Sequence, residues 1–288
     1  MFCDLNYMPT KLGQNFLKDN SVVDKIIQSA DLQPDDLILE IGPGKGILTE
    51  ELLKHAGKVI AIEIDKNLIP QLRNKVAKEQ NVEIINGDIL NFDISKLISN
   101  FQFPISNQIQ NSKFKIQNCN YKVVANIPYY ITSKIIRLFL ELETPPQEMI
   151  LMVQKEVAER IVSSPGKMSI LAVSVQYYAD AKILFDVPRE NFDPMPEVDS
   201  AVIKIAKHKS QNPNKTQIAK EQTKHFFKIV KAGFSAKRKT LINNLSNGLR
   251  LDKKEVEEKL NSLNIKSTAR AQELSVEDWK KLELSFRI

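Results

Sequence analysis

Cysteine is almost missing from this chain: Cys3 and Cys119 are the only two among 288 residues. Two cannot build a disulfide framework. With three scattered histidines they also leave no ligand set for a structural zinc site, so no metal is expected. Nine glycines and thirteen prolines exclude a collagen-like or low-complexity chain. No apolar run approaches the ~20 residues of a membrane span. Residues 1–7 lack the basic head and apolar stretch of a secretory signal. These absences predict a soluble protein of a reducing compartment, the cytoplasm, with no membrane partner. What is present is ordinary globular composition, 42 % hydrophobic and 26 % charged. The length suits about two domains.

The net charge of +6 is an average of two unlike parts. Residues 1–206 carry 22 Lys and Arg against 26 Asp and Glu, whereas residues 207–288 carry 19 against 9. A mildly acidic body therefore precedes a basic C-terminal third, which predicts an electrostatic footprint for phosphates.

Along the body, short apolar runs alternate with amphipathic stretches, the pattern of a parallel sheet flanked by helices. Strands are predicted at 37–41, 58–63, 82–85, 121–125 and 149–153. Helices are predicted at 46–56, 67–78 and 132–142. The strands are too evenly apolar to be half-exposed, as expected where helices cover both faces. Segments 183–187 and 201–205 read as a late antiparallel pair on the sheet edge. Residues 99–120, rich in Asn, Gln and Ser, read as a surface insertion, and the polar stretch 207–217 as a linker. Short helices follow, including 226–234, 237–245 and 253–263. The expected organisation is a catalytic domain over 1–206 and a helical domain over 207–288.

Three features occupy successive strand ends, where doubly wound sheets bind ligands. Glu40-Ile41-Gly42-Pro43-Gly44-Lys45-Gly46 joins the first strand to its helix. Gly42 and Gly44 allow a tight turn and a close backbone approach to a ligand. Ile47 stands where a dinucleotide fingerprint needs glycine, and Lys45 has no following Ser or Thr, so neither pyrophosphate cradle is present. Glu63, at the end of the second strand, can take both hydroxyls of a ribose. Asp88, after the third, can accept from the amino group of an adenine. An adenosine ligand without phosphates fits this set, and S-adenosylmethionine is the cofactor expected.

The fourth strand ends in Asn126-Ile127-Pro128-Tyr129-Tyr130. The exocyclic amine of adenine is a poor nucleophile because its lone pair is delocalised into the ring. Accepting its two N–H hydrogens on the Asn126 side-chain oxygen and the Pro128 carbonyl would localise that pair. Proline stiffens the turn, and Tyr129 would stack on the base. Positioning and electrostatics would then carry an in-line methyl transfer without a covalent enzyme intermediate. Phe192, in Asn191-Phe192-Asp193-Pro194-Met195-Pro196, is expected to be presented rigidly to the other face of an unstacked base.

With these residues the sequence resembles the ribosomal RNA adenine dimethylases of the KsgA/RsmA type. The resemblance runs from about Lys11 to near the C-terminus. Besides the segments above it includes Gly13-Gln14-Asn15-Phe16-Leu17, Gln154-Lys155-Glu156-Val157-Ala158-Glu159-Arg160 and Phe234-Ser235-Ala236-Lys237-Arg238-Lys239-Thr240-Leu241. It implies an α/β, Rossmann-like methyltransferase sheet, mostly parallel with an antiparallel edge strand, and a small all-α C-terminal domain. It implies dimethylation at N6 of two adjacent adenines in the 3′-terminal hairpin of small-subunit rRNA, with that RNA or the assembling subunit as partner. It implies too that Asn15 and Leu17 contact the cofactor together with Gly42, Glu63, Asp88 and Asn126. The family's basic-aromatic pair before Gly-Gln is here Lys11-Leu12, a departure.

Lys237, Arg238 and Lys239, placed with Lys228 and Lys231 on two successive helical stretches, are the expected RNA contacts, and a monomer is expected. Competing readings are methylation of large-subunit rRNA, methylation of DNA, and a non-catalytic assembly factor on the same scaffold. Ile127 and the lack of a separate DNA-reading domain disfavour DNA. The intact Glu63, Asp88, Asn126, Pro128 and Tyr129 disfavour a scaffold without activity.

Overall fold

The computed structural model describes residues 14–100, 121–208 and 216–287. Cys3, Cys119, the Lys11-Leu12 departure, residues 101–120 of the expected insertion and 209–215 of the expected linker lie outside the described residues.

In chain order the elements begin with β1 (Phe16–Leu17), α1 (Asn20–Ala30), β2 (Leu37–Ile41), α2 (Ile47–His55), β3 (Lys58–Glu63), α3 (Ile69–Lys75) and β4 (Val82–Asn86). Then come α4 (Ile94–Asn100), β5 (Tyr121–Asn126), α5 (Thr132–Leu140), β6 (Glu148–Gln154), α6 (Lys155–Ile161), α7 (Ile170–Tyr178), β7 (Ala179–Val187), β8 (Phe192–Asp193) and β9 (Ser200–Lys207). Four helices follow: α8 (Gln217–Gly233), α9 (Leu241–Leu249), α10 (Lys253–Ser262) and α11 (Val276–Ser285).

Seven strands form one sheet in the order β4-β3-β2-β5-β6-β9-β7. Strands β4, β3, β2, β5 and β6 pair in parallel. The late pair lies at the edge as the sequence predicts. Within it, the strand that runs against the rest is β9, which pairs antiparallel with β6 on one side and β7 on the other. The strand order reverses at β2, between β3 and β5, and a ligand crevice opens at the carboxyl ends of strands at such a switch point.

Apolar clusters fill both faces of the sheet, one around Leu39, Val123 and Leu151 and the other around Ile38, Val124 and Met152. Alternate residues of the same strands point into each, which is why the runs read as continuously apolar.

A third core joins α8 to α11, and it does not stop at the expected boundary. Met168, Ala172 and Val173, the latter two on α7, are buried in it, and Tyr177 stacks on Phe226 of α8 with ring centroids 4.3 Å apart. Periodicity did not mark α7 as a helix. A segment reading Ile-Leu-Ala-Val-Ser-Val-Gln-Tyr-Tyr is packed on more than one side and so carries no single apolar stripe. Among the described residues no helix is long and apolar enough to cross a membrane.

Candidate active site

The glycine turn between β2 and α2 is held by its own geometry. Gly42, Gly44 and Gly46 all take positive φ, at 65°, 58° and 78°. A Cβ on Gly44 would sit 3.0 Å from the Phe16 ring, and one on Gly46 would sit 2.6 Å from a Leu72 methyl. A side chain at either position would therefore meet both backbone strain and a neighbour.

Glu63 closes the turn from the side: its carboxylate accepts the Gly44 amide at 3.0 Å and the Asp65 amide at 2.8 Å. Each oxygen keeps a second lone pair, so Glu63 shapes the turn and can still take ribose hydroxyls. Burial raises its pKa, partly offset by those amides.

Around this turn lies a cleft of two adjoining chambers. One is lined by Gln14, Asn15, Leu17, Glu40, Gly44, Lys45, Glu63, Asn126 and Tyr129, among others. The second is lined by Asp88, Ile89 and Leu90, with Ile62 and Ile131. Gly42, Ile64, Pro128 and Tyr130 belong to both. The ribose carboxylate and the adenine carboxylate expected from the sequence thus stand in neighbouring chambers of one cleft. Asp88 also caps the turn after β4, accepting the Leu90 amide at 3.0 Å.

Asn126 ends β5, beside the glycine turn. Its amide nitrogen donates to the Asn15 carbonyl at 3.4 Å, a long bond, and among the described residues its side-chain oxygen accepts none. Asn15 therefore bears on the acceptor loop through its backbone, which residue spacing could not show. The Pro128 carbonyl accepts from the Ile131 amide at 3.2 Å and from the Thr132 hydroxyl at 3.5 Å, so a ligand N–H would take the place of the longer of the two. The Tyr129 hydroxyl pairs with Ser200 at 2.8 Å, which fixes the ring, and burial raises its pKa.

Phe192 departs from expectation. It is 1 % exposed within an apolar cluster that includes Leu17, and it lines neither chamber. The cause is the short ladder between β1 and β8, in which Leu17 pairs with Phe192 and Phe16 with Asp193. That ladder draws the aromatic ring inward, so Phe192 supports the β1 wall of the cleft and presents no stacking face in this structure.

The basic residues are displaced too. Lys237, Arg238 and Lys239 are exposed, but they occupy the loop between α8 and α9 and lie on neither helix. Buried Asn244 braces that loop, donating to the carbonyls of Gly233 at 2.6 Å and Ala236 at 3.0 Å. Among the described residues no three metal-capable side chains come together.

The residue the sequence reading passed over is Glu40. It stands in the middle of an apolar strand end, is 1 % exposed, lines the first chamber, and one of its carboxylate oxygens has no partner. Desolvation pushes its pKa up to about 8; the Thr49 hydroxyl lowers it somewhat and the Glu63 charge raises it further. Between its ordinary value of 4.5 and about 8, the unfolded chain has released a proton that the folded protein keeps. Stability therefore falls as pH rises through that window and levels off above it. Glu63 is shifted in the same direction. Replacing Glu40 with the isosteric Gln removes one such group. Thermal melts should show Glu40→Gln gaining on the wild type as pH rises from about 5 to about 9. A constant gap across that range would show that Glu40 is not neutral in the folded state.

The strand order, with its switch point at β2 and its late antiparallel pair, defines a Rossmann-like methyltransferase fold. The chain belongs to the ribosomal RNA adenine dimethylase family, which it matches over residues 6–287. It is similar to Ribosomal RNA small subunit methyltransferase A of Dehalococcoides mccartyi, with 42 % identity over 275 residues that span 96 % of this chain and 87 % of that protein. The protein of the same name from Clostridioides difficile is 42 % identical over 273 residues, 94 % of this chain and 88 % of that one. Among solved structures, a dimethyladenosine transferase from Plasmodium falciparum aligns with a TM-score of 0.72 and 26 % identity over 94 % of this chain and 97 % of that one. The 23S rRNA methyltransferase ErmE aligns with a TM-score of 0.69 and 26 % identity over 94 % of this chain and 99 % of that one.

Proposed function

We propose that this protein transfers methyl groups to N6 of two adjacent adenines in the 3′-terminal hairpin of small-subunit rRNA, using S-adenosylmethionine. The observation that carries the reading is the Asn126 side-chain oxygen, without a donor among the described residues and held at the end of β5 beside a cleft with Glu63 and Asp88 in adjoining chambers. The cofactor supplies an electrophilic methyl group on a sulfonium. Asp88 and Glu63 would hold its adenosine part, and the glycine turn its sulfonium end. Asn126 Oδ1 and the Pro128 carbonyl accept the two N–H hydrogens of the target amine and direct its lone pair, while Tyr129 supports the base. The methylated ammonium is acidic enough to lose its proton to water, so no general base is required.

Small-subunit RNA is favoured over other substrates by the similarity to proteins named for that subunit across nearly the whole chain. The likeness to ErmE, a 23S rRNA methyltransferase, supports the large-subunit alternative at lower identity. Incubation with labelled S-adenosylmethionine and unmethylated small or large subunits, followed by nucleoside analysis, separates the two. Dimethyladenosine confined to the small-subunit RNA is the expected result, and its confinement to large-subunit RNA overturns the reading. Action on ribosomal RNA would put the protein in the cytoplasm.

The loop bearing Lys237, Arg238 and Lys239 would grip RNA through phosphates and shape while the cleft reads the flipped base. Replacing all three with alanine should weaken RNA binding and lower the salt slope of log affinity by up to about three units, one per phosphate contact. Cofactor affinity should be unchanged. An unaltered salt titration would remove this loop from the interface.

A further inference from the structure

A base read in this cleft brings its own backbone with it. Its exocyclic amine has to reach Asn126 and Pro128, so the sugar and the phosphates on either side of it stay at the rim. The cleft offers those phosphates little. Glu40, Glu63 and Asp88 line its two chambers, and residues 1–206 carry more Asp and Glu than Lys and Arg, a balance that repels an approaching polyanion.

Among the described residues, Lys45 is the one Lys or Arg that lines either chamber. It is exposed, and among the described residues its ammonium makes no ion pair or hydrogen bond. Lys54 and Lys75, the lysines beside α2, are by contrast paired with Glu51 and Glu50. The contact Lys45 does make is with the face of Phe16, its nitrogen 4.7 Å from the ring centroid. Phe16 is fixed in turn by the pairing of β1 with β8 and by close packing on the glycine turn. An aromatic face holds a cation in place and leaves its charge available to an anion. The residue before Phe16 is Asn15, whose carbonyl takes the Asn126 amide. Two adjacent residues of one segment therefore seat the cation and orient the methyl-acceptor loop.

We propose that Lys45 binds a phosphate beside the target adenine and so gives the catalytic domain its own anchor on the flipped nucleotide. This rests on the reading of the cleft as the site that takes an adenine of small-subunit RNA. The basic loop of Lys237, Arg238 and Lys239 belongs to the C-terminal helices, whereas Lys45 acts on the nucleotide being modified.

Small subunits reconstituted with a 3′-terminal hairpin ligated from synthetic RNA test this. One phosphate at a time, of those flanking the two adenines, is made a neutral methylphosphonate, and kcat/KM for methylation is measured. Lys45→Met should lower kcat/KM on the unmodified subunit about fivefold, the span of one exposed charge pair. It should reduce the salt slope by about one unit and leave the affinity for S-adenosylhomocysteine unchanged in calorimetry. Neutralising the contacted phosphate should cost the wild type the same factor and cost Lys45→Met nothing further, because the pair is already broken. Lys45→Arg, which keeps the charge, should keep the sensitivity of the wild type. Equal sensitivity of the wild type and Lys45→Met at every phosphate overturns the proposal. Weaker binding of S-adenosylhomocysteine by Lys45→Met does so too, because the lysine would then serve the cofactor. Failure of the wild type to methylate the unmodified subunits would instead remove the small-subunit reading itself.

Discussion

Asn126→Ala should lower the rate of methyl transfer about a hundredfold or more, the loss typical when one preorganised polar group is removed from a reacting centre. RNA binding should change little. The reason lies in how the amide is held. Its nitrogen is engaged by the Asn15 carbonyl, so its oxygen is oriented before any substrate arrives, and that orientation costs nothing at the moment of reaction. Ile127, the next residue, donates its amide to the Met152 carbonyl of β6 at 3.1 Å, which keeps the loop in line with the sheet. Asn126→Asp gives a finer test. The carboxylate can still accept from the amine but loses the donor to Asn15, so turnover should lie between alanine and wild type. Single-turnover methylation of unmodified subunits measures both, and near-normal turnover in Asn126→Ala would show that the amine is not activated in this way.

Lys122→Met should destabilise the protein by about 3–5 kcal/mol, the usual cost of removing one partner from a buried charged cluster. Lys122 stands at the opposite end of β5 from Asn126 and is 8 % exposed. Its ammonium donates to the carbonyls of Ala30 at 3.0 Å and Asp31 at 2.9 Å. It also pairs with Asp36 at 2.9 Å and Glu148 at 3.6 Å, and Lys204 closes on the other Glu148 oxygen. One side chain thus ties the end of α1, the entry to β2 and the start of β6 together. Methionine would preserve the stem's packing while taking one donor from each of two carboxylates and two carbonyls, of which Glu148 keeps Lys204 and Asp36 keeps the Gln33 amide. Urea denaturation should show a lower midpoint with the same slope. A midpoint within error of the wild type would mean that water or rearrangement satisfies those groups.

The two substitutions separate what a local reading could and could not see. Asn126 was legible because an Asn-x-Pro-Tyr turn at a strand end needs only neighbouring residues to interpret it. Lys122 looked like an isolated charge in an apolar run, since its partners lie at positions 30, 31, 36 and 148 and meet only through parallel pairing of β2, β5 and β6. Glu40 carried a signal of the same sort, an acid inside a five-residue apolar strand, but its missing partner is a property of the folded chamber.

By itself the sequence determined the five parallel strands of the body, three of the helices between them, the glycine turn, and the carboxylates and asparagine at the strand ends. Those features follow from side-chain periodicity and from residues a few positions apart. The tertiary structure alone decided that Phe192 faces the core, because the β1–β8 ladder pairs segments far apart in the chain. It decided that Lys237, Arg238 and Lys239 form a braced loop, because Asn244 reaches back to hold the carbonyls before them. It also decided that α7 serves the C-terminal core, since burial on several sides erases the stripe by which a helix is recognised. Pairing and burial at long sequence separation carry no local pattern, and those are the terms on which the site's final shape depends.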